Sequence, residues 1–77
     1  MSQGNVPGGV VKIIEVVGSS TDSFSDAVRQ AVRVAGQSVR NMRGVEVESS
    51  SADIDDSGSI SLYKVHCKIA FLVEESR

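Results

Sequence analysis

The chain has 77 residues, 40% of them hydrophobic and 23% charged, with a formal net charge of -2, one Cys and no Trp. A chain this short makes one small domain, which buries roughly 60% of the surface its unfolded form exposes; the lone Cys and the lack of a Cys/His cluster exclude an internal disulfide and a structural zinc site. The acidic balance speaks against a general nucleic-acid binder, which needs dense positive charge, and no apolar run approaches the roughly 20 residues of a membrane span.

Residues 1–9 read as a flexible N-terminal tail, because Gly4, Pro7, Gly8 and Gly9 fall among small polar residues with no periodic pattern. Met1-Ser2-Gln3-Gly4-Asn5 has neither the basic start nor the apolar centre of a secretory signal, so a soluble, cytoplasmic protein is expected. Residues 10–77 then form a single domain. Val10-Val11-Lys12-Ile13-Ile14-Glu15-Val16-Val17 is a β-branched run stopped by Gly18, which predicts a strand buried on much of both faces.

From Ser23 the period changes. Ser23-Phe24-Ser25-Asp26 has the spacing of a capping box with Asp in place of Glu, so the Ser23 hydroxyl and the Asp26 carboxylate would each take a free amide of a first helical turn. Val28, Val32, Ala35 and Val39, with Ala27, Ala31 and Met42, form one apolar stripe, while Arg29, Gln30, Arg33, Gln37 and Arg40 fall largely off it. This predicts one amphipathic helix of about five turns, ended by Gly44 and carrying Gly36 inside it at a cost of about 1 kcal/mol. Val45-Glu46-Val47-Glu48 alternates as a half-exposed strand does, and Asp55-Asp56-Ser57-Gly58 has turn chemistry. Ile60 to Val73 is a long third strand. Its odd positions, Tyr63, Val65, Cys67, Ile69, Phe71 and Val73, are apolar and face the helix; its even positions, Leu62, Lys64, His66, Lys68, Ala70 and Leu72, make a mixed face.

The order β-α-β-β predicts an α+β fold: a three-stranded antiparallel or mixed sheet, ordered first, third, second, with a right-handed crossover and the helix on one face. The other face has no intramolecular cover, which points to an obligate homo-oligomer. Lys64, His66 and Lys68, together with Glu15, suit a partly polar or water-filled interior.

Ser23-Phe24-Ser25-Asp26-Ala27-Val28, leading to Val39-Arg40-Asn41-Met42-Arg43-Gly44-Val45-Glu46-Val47, resembles the dodecin stretch that opens Ser-Trp-Glu-Asp-Ala and closes Leu-Arg-Asn-Leu-Arg-Trp-Phe-Glu-Val, without a gap. The opening Val-Lys-x-Ile-Glu-Val-Val-Gly-Ser-Ser and the closing Tyr-x-Val-x-x-Lys-Ile-x-Phe also fit, so the resemblance covers about residues 10 to 74. It implies a hollow homododecamer, built from trimers, that binds or stores flavins such as FMN or riboflavin and catalyses no reaction. By position it implies a ligand site at Arg43, Gly44, Val45, Glu46 and Lys64. Two departures matter. The family stacks a Trp on the flavin ring and hydrogen-bonds the ring edge with a Gln, and this chain has Gly44 and Lys64 there. Stacking on a base-like ring is worth about 1–3 kcal/mol, so flavin affinity should be much weakened.

Asp53-Ile54-Asp55-Asp56-Ser57-Gly58 matches the first half of a calcium-binding EF-hand loop, with Asp53, Asp55 and Ser57 as candidate metal ligands, but Lys64 stands where the bidentate Glu belongs. An acidic hairpin turn is the plainer reading; a calcium site completed by a neighbouring subunit is the alternative, since some dodecin-like proteins that lack the Trp bind calcium. Lys12 and Arg40 fall where some dodecins hold the phosphates of a nucleotide-type ligand such as coenzyme A, or they form a solvated surface or an intersubunit salt bridge. Lys64, His66 and Lys68 either hold an anion or neutralise Glu15, Glu46 and Glu48 across strands. Adjacent on one strand, His66 and Cys67 point to opposite faces and cannot pair as base and nucleophile. The expectation is therefore a non-enzymatic small-ligand binding or storage protein, with calcium binding or a ligand-free structural shell as alternatives, and with neither nucleic acid nor membrane as a partner.

Overall fold

A computed structural model describes residues 10–73; the expected N-terminal tail and the last four residues lie outside them. The elements are β1 (Val10–Ser20), α1 (Phe24–Ala35), β2 (Met42–Ile54) and β3 (Ile60–Val73). The sheet order is β1-β3-β2. Both outer strands run antiparallel to β3, from Val10 opposite Val73 to Ser20 opposite Tyr63 on one side and from Met42 opposite Phe71 to Ile54 opposite Ile60 on the other. The expected topology is the observed one.

The helix settles on one face through small residues. Ala27, Ala31, Val65 and Cys67 form the centre of the core, with Val16 and Val28 packed against it. Their size lets the helix approach β1 closely: a Cβ on Gly18 would overlap the Ala27 carbonyl oxygen and lie 2.8 Å from Ala31 Cβ. Only glycine allows this approach. Phe24, in the first turn, meets Tyr63 edge-on with ring centroids 4.9 Å apart.

Ser23 caps the helix as expected, accepting the Asp26 N–H at 2.9 Å. Asp26 acts differently from the expectation. Its carboxylate accepts the Ser20 hydroxyl at 2.7 Å, and the Ser20 oxygen in turn accepts the N–H groups of Asp22 at 2.9 Å and Ser23 at 3.4 Å. The capping function of Asp26 is thus relayed through a hydroxyl at the end of β1.

Two expected element bounds are corrected. The helix ends at Ala35, with Gly36 as its C-cap rather than an interior residue; the Gly36 N–H bonds the Val32 carbonyl at 2.9 Å. Val39 bonds back to Ala35 in a following turn, Asn41 takes a φ of 60°, and Met42 already pairs with Phe71. A left-handed residue breaks a helix, so the last two members of the apolar stripe belong to the turn and the strand. Correspondingly, β2 is much longer than Val45 to Glu48. The first strand is also less covered than expected. Its residues Val11, Ile13 and Val17 are 44%, 54% and 67% exposed, because one helix covers only the alternate set that includes Val16 and Gly18. No helix of the described residues is long and apolar enough to cross a membrane.

Candidate functional site

The uncovered face of β3 carries three basic residues, each beside an acid on a flanking strand. Lys64 Nζ lies 3.0 Å from Asp53 Oδ1, His66 Nε2 lies 3.2 Å from Glu15 Oε1, and Lys68 Nζ lies 3.1 Å from Glu48 Oε2. The neutralisation reading of these residues is the one the geometry follows, although Lys64 takes Asp53 and not a glutamate. Glu48 reaches Lys68 because it is the extra residue of a register shift between Val47 and Ser49. Glu15 and Glu46 both stand in register with Lys68. The hydrogen bond and charge of Glu48, helped by the charges of Glu15 and Glu46, raise the Lys68 pKa above its ordinary value. Each pair is partly exposed and contributes little alone.

The residues that the resemblance assigns to a ligand do not all meet in one protomer. Arg43, Gly44 and Val45 line a cavity of about 290 Å³ with Val32, Met42 and Ile69. A Cβ at Gly44 would meet nothing within 4 Å. Glu46 belongs instead to the Lys68 cluster. Lys64 is remote: Gly44 pairs with Ala70, and the six residues from Ala70 to Lys64 span about 20 Å along β3.

Lys12 and Arg40 come to the same end of the sheet. Lys12 and Met42 both stand opposite Phe71, so their strands are two spacings, about 10 Å, apart. Asp53, Asp55 and Ser57 form no common donor set. Asp53 is engaged with Lys64. Asp55 Oδ1 accepts the Ser57 hydroxyl at 2.7 Å and the N–H groups of Ser57 and Ser59, both at 3.0 Å. These donors, the Ser57 hydroxyl first, hold the Asp55 carboxyl below the ordinary value. Among the described residues no three His, Cys, Asp or Glu side chains are placed to hold a metal ion. Cys67 is fully buried, which pushes its thiol pKa up, and His66 stands on the opposite face with Glu15.

A second cavity, of about 450 Å³, opens between β1 and α1, lined by Ile14, Val16, Gln30, Val34 and Ser38 among others. Sequence reasoning missed it. The available signal was Val34, an apolar residue off the helical stripe and exposed in the protomer.

The family model for dodecin matches residues 10–74. Calcium dodecin of Mycobacterium tuberculosis is 31% identical over 62 residues, covering 80% of this chain and 86% of that protein. Among solved structures, a dodecin from Streptomyces coelicolor is 36% identical with a TM-score of 0.85, covering 91% of this chain and 99% of the other. The crystal structure of calcium dodecin from Mycobacterium tuberculosis, described there as calcium chelating, gives 29% identity and a TM-score of 0.73 over 88% of this chain and 96% of the other. Sequence, strand order and three-dimensional likeness agree over nearly the whole described chain, and the protein belongs to the dodecin family.

Proposed function

We propose that this chain is the protomer of a hollow homododecamer, trimer-based and cytoplasmic, that binds and stores a small ligand without catalysing a reaction, and that it holds FMN or riboflavin only weakly. Family membership supports the ligand-binding class. The observation that carries the finer reading is Gly44. It borders a cavity whose lining has one charged group, Arg43, and no ring, with open space where the family resemblance puts a stacking indole.

Flavin titration followed by fluorescence quenching tests this. Gly44→Trp should tighten binding by about 5- to 150-fold, the equivalent of one stacking contact of about 1–3 kcal/mol. A wild-type protein that already binds FMN tightly, or a variant that gains nothing, overturns the weak-flavin reading. The assembly is read by light scattering, which should give about twelve times the 8.1 kDa chain mass. A mass near that of one chain overturns it.

Calcium binding is the second reading, favoured by the likeness to calcium dodecin. Its candidate ligands Asp53, Asp55 and Ser57 would need carboxylates from a neighbouring subunit, because Asp53 and Asp55 are engaged within the chain. A thermal shift at millimolar calcium, lost in Asp53→Ala or Asp55→Ala, would establish it; no shift would remove it.

A further inference from the structure

β1 is held in two different ways along its length. Its C-terminal half is clamped by the helix: Gly18 lies against the Ala27 carbonyl and Ala31, Val16 packs on the core, and the Ser20 hydroxyl donates to Asp26. Residues 10–14 lie beyond that clamp. Val10, Val11, Lys12 and Ile13 are exposed, and Ile14 faces the helix across the cavity of about 450 Å³. What holds this half is its ladder to β3. A segment with few packed contacts opens more easily than one that is also buried.

Glu15 stands at the boundary of the two halves. Its Oε1 lies 3.2 Å from His66 Nε2, and of the four acid–base contacts among the described residues this is the one that joins β1 to another strand. Lys64–Asp53 and Lys68–Glu48 join β3 to β2, and Arg29–Asp26 lies within α1. The outer strands are therefore tied by different chemistry. β2 is tied through lysine, a side chain that keeps its charge across the neutral range, and β1 through histidine, whose charge changes between about pH 5 and 8.

The surroundings of His66 set the sign. On its own strand Lys64 and Lys68 flank it on the same face. From β1 it meets Glu15, with Val17 in register; from β2 Ser49 stands in register, with Glu46 and Glu48 at Lys68 and Asp53 at Lys64. The helix lies on the opposite face, against Val65 and Cys67. Carboxylates outnumber ammonium groups here, so a positive imidazole enters a negative surrounding and holds Glu15 more strongly than a neutral one does.

We propose that His66 and Glu15 form a pH-dependent latch on the N-terminal half of β1, closed when the imidazole is protonated and loosened as pH rises through the neutral range. Because Ile14 and Val16 wall the cavity between β1 and α1, the latch also sets how readily that cavity opens on its β1 side. An exposed pair is a weak tie, so the opening equilibrium shifts by about 1.5- to 5-fold. The latch operates within a single chain and needs neither the ligand nor the assembly proposed above.

The experiment is hydrogen–deuterium exchange on the full-length chain at about pH 5.5 and about pH 8, on either side of the histidine range and corrected for the intrinsic pH dependence of exchange. Protection of residues 10–14 should fall by about 1.5- to 5-fold between the two, relative to residues 16–20. His66→Gln and Glu15→Gln should each remove the difference. His66→Lys, charged at both values, should hold residues 10–14 at their acid-side protection throughout, which a merely structural role for the ring does not produce. The titrations of Asp55, below 3.8, and Lys68, above 10.5, fall outside this window. Equal protection of residues 10–14 at both pH values in the wild type overturns the latch. So does a pH effect that survives in Glu15→Gln, or one that falls equally on the amides of β2.

Discussion

β3 serves two environments at once. Val65, Cys67 and Ile69 are buried against small alanines of the helix, while Lys64, His66 and Lys68, their immediate neighbours, stand on the other face, each beside an acid of β1 or β2. The first face is specified by shape: no polar side chain enters its centre, and Gly18 is needed so that the helix can sit down. The second is specified by charge order along the strand. Shape in a tight contact tolerates almost no change, whereas exposed ion pairs tolerate most. The fold should therefore depend steeply on the helix side and shallowly on the open side.

The largest effect should come from breaking the close approach. Gly18→Val places atoms in the Ala27 carbonyl and lifts the helix from β1, with an expected loss of about 3 kcal/mol or more by urea denaturation. An unchanged midpoint would show that the helix side is not shape-limited. Next, Cys67→Ser should cost about 1–3 kcal/mol by burying a hydroxyl without a partner. The native thiol should also stay unreactive toward a disulfide reagent at pH 8 until the chain unfolds, since burial keeps it protonated. Ser20→Ala removes the hydroxyl that serves Asp26, Asp22 and Ser23, and about 1–2 kcal/mol should go with it. A loss below experimental error would mean that water replaces it.

The smallest effects belong to the exposed charges and are read as slopes. The Lys68 pKa is raised above 10.5, so its contribution is present below that value and lost as pH rises through the higher folded one. Glu48→Gln should flatten this alkaline limb in thermal melts. The Asp55 pKa is lowered below 3.8, so its contribution is present above that value and lost as pH falls through the lower folded one. Asp55→Asn should flatten the acid limb. If either limb is unchanged in its variant, that group does not carry the pH dependence.

The strand order and the two faces of β3 were legible because alternation over fourteen residues leaves one choice of face. The helix end was not. Val39 and Met42 continue the helical spacing by coincidence, and what stops the helix is the φ of Asn41 and the pairing of Met42 with Phe71, both set by tertiary structure. Glu48 was readable as a neutralising acid, but its pairing with Lys68 was not, since a register shift exists only relative to the partner strand. For the site, residue identities were readable but distances were not: the resemblance groups Gly44 with Lys64, and antiparallel geometry puts about 20 Å between them in one protomer.

Strand order also sets a clock on synthesis. β1 leaves the ribosome first, yet its hydrogen-bonding partner is the last strand, with Val10 opposite Val73. At about 5–20 residues per second, the chain from Ser20 to Val73 takes roughly 3–10 s to follow. For that interval a Val- and Ile-rich segment, high in β propensity and low in charge, has no native partner in its own chain. The nascent protein should be most prone to aggregate during this window, and slower translation should lower its soluble yield even though the finished fold is unchanged.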